Sequence, residues 1–197
     1  MVVIDVESSG LDPKTHSIVS LGALDLSEPE NQFYDECRVW EGAKIDDDAL
    51  AINGFSREEV EDARKKSEGE LVKAFVAWAT DRPKNLTLAA QNVSFDYEFV
   101  KAACMRAGIE CPFAKRSVDI HSVTWLHMSE HGHEVTTTNR HSLMNSELVL
   151  LSRGLSEDTK PHNARTGALW HAEVLSRMAY NKKLLKDFES YDIPWQN

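Results

Sequence analysis

An α/β fold is what this sequence predicts, on three observations. A β-branched apolar run, Val2-Val3-Ile4, opens the chain and is closed by Ser8-Ser9-Gly10. Strand-like runs and helix-like periodicities alternate beyond it. The run Leu86–Ala90 then passes through Gln91-Asn92-Val93-Ser94 directly into a helical pattern, the kind of junction at which α/β sheets place ligands. The 197 residues suffice for one sizeable core, so a single domain over 1–197 is expected.

Each element has its own warrant. Met1–Val6 reads as a strand buried on both faces, as in the middle of a sheet covered by helices. Asp12-Pro13 turns the chain into a second strand, Ile18–Leu26, as a hairpin, and Gln32–Trp40 is a third strand. Asp46–Ala51 is a short helix before the turn Asn53-Gly54. Ser56 with Glu59 forms a capping box for a helix to about Ala63. Leu71, Phe75, Trp78 and Ala79 give helical spacing over Glu68–Ala79. Phe95, Phe99, Ala102, Ala103 and Arg106 do so over Phe95–Ala107, with Gly108 as the C-cap. Val118-Asp119-Ile120 is a short strand entering a helix over His121–His127. Glu130–Arg140 is polar and aperiodic, a mobile loop. Ser142–Leu151 reads as a helix ending near Gly154, and a last helix starts after Pro161 and runs through Leu169, Val174, Met178 and Leu185. The tail from Asp187 to Asn197 is expected to dock loosely.

The chemistry gathers at strand ends. Asp5 and Glu7 are two apart on a strand, so both carboxylates leave one face. Like charges this close to a buried segment repel and are costly to desolvate. A hard cation such as Mg²⁺ or Mn²⁺ would compensate them; a strand end running into solvent would need no partner. Asp96 sits in a first helical turn facing the same sheet edge, where it also suits the helix dipole. Asn92 is either an N-cap or part of the site. His127, His131 and His133 lie together in a loop, where zinc is conceivable, although no cysteine or carboxylate frames them.

A net charge of −10 excludes capture of long nucleic acid by bulk charge alone. Arg64-Lys65-Lys66 and Lys182-Lys183 read as solvated helix faces. Cys37, Cys104 and Cys111 are odd in number and lack C-x-x-C spacing, which fits buried small hydrophobes in a reducing cytoplasm. No run of eighteen apolar residues exists, so no membrane span is expected, and a strand starting at Met1 leaves no room for a targeting segment.

Three stretches, D-V-E-S-S-G-L-D, Q-N-V-S-F-D and H-N-A-R-T-G-A, together resemble the three motifs of the DEDDh 3′–5′ exonucleases, the family of bacterial proofreading subunits and ribonuclease T. S-I-V-S-L-G-A, A-I-N-G-F-S-R-E-E-V and S-V-D-I-H fit between them, so the resemblance covers nearly the whole chain. It implies a ribonuclease H-like α/β fold, with a mixed five-stranded sheet and helices on both faces. It implies two divalent ions, Mg²⁺ or Mn²⁺, held by Asp5, Glu7 and Asp96, with Glu7 also helping to place the attacking water and His162 as general base. Ser8, Ser9, Gly10 and Leu11 match the stretch that holds the 3′-terminal nucleotide, and Asn92 and Phe95 match the floor of that site. The implied partner is single-stranded DNA or RNA with a free 3′ end; a polymerase or a second copy of the chain stays open as protein partner.

The sequence departs from the pattern at one place. The family carries an Asp five residues after its His; here that position is Gly167. Glu173 points away from the missing carboxylate and His171, one turn on, is too far along the axis to replace it cleanly. Gln91, where many relatives carry His, is a smaller departure. The expectation is a metal-dependent exonuclease weakened or inactivated at Gly167. A binding module for 3′ ends and a phosphodiesterase for small molecules are its alternatives.

Overall fold

The computed structural model describes residues 1–81, 85–135, 137, 138, 141, 142, 144, 149, 154, 155 and 163–196. Strand β1 (Val2–Ser8) is the middle of a five-stranded sheet of order β3-β2-β1-β4-β5. β1, β2 (Ile18–Asp25) and β3 (Glu28–Glu36) are antiparallel neighbours, whereas β4 (Leu88–Ala90) and β5 (Val118–Asp119) run parallel to β1. The sheet is therefore mixed. Period-two alternation splits β1 between two cores. Val2, Ile4 and Val6 pack with Leu71, Phe75, Phe99 and Val100, while Val3 packs with Ile120, Ala168 and Leu175 on the opposite face. The helices behind those contacts are α3 (Glu68–Thr80) and α4 (Val93–Arg106) on one side, and α5 (Ile120–Glu130) and α6 (Ala164–Tyr180) on the other.

Several boundaries differ from expectation, each for a local reason. β3 begins four residues early because Asp25 accepts hydrogen bonds from the Ser27 backbone N–H and hydroxyl, making a tight turn. As an edge strand, β3 then tolerates polar residues and Pro29. Helix α1 (Asp47–Asn53) ends at Gly54 in the left-handed region. The Ser56–Glu59 capping box forms as expected, but α2 (Arg57–Glu61) is one turn long. A second box, Ser67 with Glu70, opens α3. Thr137–Thr138 pairs with His141–Ser142 as strands β6 and β7, where a loop and then a helix start were expected. The rest of the expected helix 142–151 lies largely outside the described residues. α6 ends at Asn181, whose backbone is left-handed, so Leu185 packs from beyond the helix.

The C-terminal tail is docked firmly, not loosely. Arg177 is fully buried, pairs with Glu173 at 2.7 Å, and donates to the carbonyls of Phe188, Tyr191 and Asp192. Glu173 also accepts from the N–H groups of Leu184 and Leu185. A buried charge pair of this kind is held by its hydrogen bonds, and removing either partner leaves an uncompensated ion. Cys37 and Cys104 are buried and Cys111 partly so, all three as free thiols. Arg64, Lys65 and Lys66 are not on a helix; they pair with Asp62, Glu36 and Asp35. No helix of the described residues is long and apolar enough to cross a membrane.

Candidate active site

The C-terminal edge of β1 is where the acidic residues meet. Asp5 and Glu7 leave β1 on the α6 side, and α4 brings Asp96 over the same edge in its first turn. All three line one cavity of about 190 Å³, with Gln91, Asn92, Phe95, Gly167 and His171 among its other walls. Asp96 is almost fully buried. Burial pushes its carboxyl well above the usual carboxylate range, and the charge of Asp5 adds to the push; the N–H groups of Asp96 itself and of Val6 oppose it, and Glu7 adds a smaller repulsion.

Two glycines decide how closely α6 approaches. Gly22 lies opposite Asp5 in the β1–β2 ladder. A Cβ at Gly22 would collide with the carbonyl of Ala164 and lie 2.7 Å from the N–H nitrogen of Arg165, so the start of α6 rests directly on the β2 backbone. Asn163 caps that helix start through the N–H groups of Arg165 and Thr166, and its amide donates to the Tyr34 hydroxyl at 3.3 Å. Tyr34 in turn donates to Glu36 at 2.8 Å. Burial and then the Glu36 hydrogen bond push the Tyr34 phenol up to about 12.

At Gly167, four residues further, a Cβ would overlap Asp5 Oδ2 and lie 2.6 Å from Asp5 Cγ. The Asp5 carboxylate thus leans into the space a side chain at 167 would take. Glu173 is engaged with Arg177, as expected for a residue facing away from the site. His171 is closer than expected: its Nδ1 is 4.0 Å from Asp5 Oδ1 and 3.0 Å from the Ile4 carbonyl oxygen. A carbonyl only accepts, so Nδ1 carries the proton.

The remaining expected site residues fall into two groups. Asn92 and Phe95 line the cavity; Asn92 is left-handed at φ 56°, without a side-chain cap bond, and Phe95 packs on Phe99. Ser8, Ser9, Gly10 and Leu11 shape the adjoining loop. The Ser8 hydroxyl donates to the Gly10 carbonyl, and the Ser9 hydroxyl donates to the Lys44 carbonyl and accepts from Ser17. Both serines are buried, which leaves backbone and shape as their contribution. A Cβ on Gly10 would overlap His16, and Leu11 stands 80% exposed at the loop tip. Gln91 donates to the Met144 carbonyl at 3.2 Å. His162 lies outside the described residues.

A family model described as "Exonuclease" and named RNase_T matches residues 2–166. The chain belongs to the RNase_T exonuclease family. Among its relatives is the ribonuclease T of Klebsiella pneumoniae, 27% identical over 121 residues, which are 55% of this chain and 56% of that protein. The chain thus spans about half the length of the ribonuclease T relatives it matches. The nuclease domain of 3′hExo, a DEDDh family member solved bound to rAMP, superposes with a TM-score of 0.71 at 18% identity, covering 94% of both chains. Exonuclease I of E. coli, solved with a dT13 oligonucleotide, gives a TM-score of 0.68 at 17% identity over 89% of this chain and 40% of that one. These likenesses establish the ribonuclease H-like exonuclease fold expected from the sequence.

RNase_T exonucleases generally depend on divalent metal ions. The donor chemistry here fits such ions: carboxylate oxygens face one cavity and destabilise one another unless a cation or proton intervenes. As placed, no three His, Cys, Asp or Glu side chains among the described residues stand close enough to hold a metal ion. Of the expected histidine cluster, His127 lies on α5 rather than in a loop, and it stacks on His131 at 4.2 Å and on Trp195 at 4.4 Å.

Sequence reasoning set His171 aside as too far along the axis and passed over Gly22. His171 meets β1 and Gly22 lets β2 meet the start of α6; only the glycine in S-I-V-S-L-G-A, mid-strand where glycine weakens pairing, signalled a close backbone approach.

Proposed function

We propose that the chain removes nucleotides from the 3′ end of single-stranded DNA or RNA by divalent-cation-dependent phosphodiester hydrolysis, at a rate lowered by the glycine at 167. The observation that carries this is the convergence of Asp5, Glu7 and the buried Asp96 on one cavity at the C-terminal edge of β1, in a chain of the RNase_T exonuclease family. Asp5, Glu7 and Asp96 would hold two ions, Mg²⁺ or Mn²⁺. Bound ions of this kind neutralise phosphate charge and acidify a water. Glu7 would orient that water. His162 would take its proton, a task suited to an imidazole whose ordinary pKa is about 6.5. The loop Ser8–Leu11 would hold the terminal nucleotide by backbone groups and by the exposed Leu11, over a floor formed by Asn92 and Phe95.

The lean of Asp5 onto Gly167 favours one second reading, a module that binds 3′ ends without cutting them. Incubating the chain with 5′-labelled single-stranded DNA and RNA, in Mg²⁺, Mn²⁺ or EDTA, separates the two. Hydrolysis gives a ladder shortened from the 3′ end that EDTA abolishes. Retention in a gel shift with an intact oligonucleotide supports the binding module instead.

A further inference from the structure

We infer that His16 and Asp46 are a positioning pair for the loop Ser8–Leu11, His16 as the bed on which Gly10 rests and Asp46 as the group that steadies the His16 ring. Neither lines the cavity of Asp5, Glu7 and Asp96. This rests on the reading of that loop as the holder of the terminal nucleotide, and goes beyond it by naming what fixes the loop's shape.

The His16 ring is buried and touches the chain on both sides of the exposed Leu11. On one side is Gly10, where a Cβ would overlap the ring and lie 2.7 Å from Asp46 Oδ2, so the loop backbone sits directly on the pair. On the other is Asp12, whose backbone nitrogen and carbonyl oxygen lie 3.2 Å and 3.1 Å from Nδ1. Nε2 is enclosed, with Asp46 Oδ2 3.2 Å away, an ion-pair distance not aligned as a hydrogen bond.

Asp46 stands at the N-cap of α1, where an Asp side chain ordinarily accepts from the helix's own N–H groups. It makes no such bond here. The carboxylate faces His16 instead, and the Asp46 N–H donates to the Ser9 carbonyl at 2.8 Å. Neighbouring residues brace the same loop: the Asn53 amide donates to the Ser8 carbonyl at 3.1 Å, and the Lys44 carbonyl accepts from the Ser9 hydroxyl at 2.8 Å. The segment Lys44–Asn53 thus supports residues 8, 9 and 10 in turn, with the His16–Asp46 pair beneath the last of them. A loop held ready in its bound shape spares the ordering cost of binding, so the pair should act on affinity for the substrate end.

The test is the affinity of the full chain for a 5′-fluorescein single-stranded DNA with a free 3′ end, read by fluorescence anisotropy with Ca²⁺ in place of Mg²⁺. His16→Ala and Asp46→Ala should each bind about tenfold more weakly than the parent. The double variant should bind little worse than the weaker single one, because the two residues act as a unit. Val72→Ala, which opens a cavity in the core, should lower Tm and keep the parent's affinity. Unchanged affinity in Asp46→Ala, losses that multiply in the double variant, or an equal loss in Val72→Ala overturns this inference and leaves the reading of the loop standing. No binding by the parent chain overturns both. Should His16→Ala fail to fold, Asp46→Ala against Val72→Ala decides alone, since the Asp46 side chain is half-exposed.

Discussion

The Asp5 carboxylate lies against the α-carbon of Gly167, filling the space of a side chain that α6 lacks. Gly167→Asp therefore does more than restore a carboxylate. It forces Asp5 to turn away and sets two like charges side by side. Without divalent ions this variant should lose about 2 kcal/mol, a fall in Tm of about 4–8 °C. Mn²⁺ should return most of the loss by binding the folded state. Thermal melts in EDTA and in Mn²⁺ check this; equal Tm values for variant and parent in EDTA would show that Asp5 does not occupy that space.

Asp96 is a buried carboxyl group that burial and the charge of Asp5 hold well above the usual carboxylate range. Asp96→Asn removes a buried charge that both β1 carboxylates repel, and the amide oxygen can still accept from Val6. The variant should gain about 1–2 kcal/mol in EDTA, while losing cation binding and activity. Denaturant unfolding beside a Mn²⁺ titration measures both; a less stable variant would contradict the assignment of repulsion.

Gly22 sets the distance between α6 and the sheet. Gly22→Ala drives a methyl into the Ala164 backbone, which has no side-chain freedom to yield. A loss of about 1–3 kcal/mol is expected, with activity falling further than stability because the same helix start packs beside Asp5 at Gly167. Urea midpoints compared with oligonucleotide hydrolysis test this, and an unchanged rate would free the site from the Gly22 contact.

Tyr34 gives the fold a high-pH limit. Its phenol is raised from 10.0 to about 12 in the folded chain, so the folded state holds this proton where the unfolded state releases it. The sign follows: the contribution is complete below about pH 10 and is lost as pH rises toward 12. Stability curves across that window should fall less steeply for Tyr34→Phe, which lacks the ionisable group. Parallel slopes would show that burial and the Glu36 hydrogen bond do not hold the phenol's proton.

Much of this was legible in the sequence, for identifiable reasons. Period-two alternation placed Asp5 and Glu7 on one face of β1, and the strand-to-helix junction placed Asp96 over the same edge. The Ser56–Glu59 box and Gly54 marked helix ends through local hydrogen bonds that a few residues encode. What escaped depends on distant partners. The start of β3 was set by Asp25 and Ser27 rather than by its own polar residues. The tail looked loose because the buried Arg177 that collects its carbonyls lies on α6. His171 was set aside on helical spacing alone, yet its ring stands 4.0 Å from the Asp5 carboxylate.

The most direct test of the central claim is the fate of a 5′-labelled single-stranded oligonucleotide given to the chain, to Gly167→Asp and to Asp96→Asn, in Mn²⁺, Mg²⁺ and EDTA. The account predicts stepwise shortening from the 3′ end by the chain in Mn²⁺, and none in EDTA or with Asp96→Asn. An oligonucleotide left intact under every condition, by the chain and by Gly167→Asp alike, would contradict it.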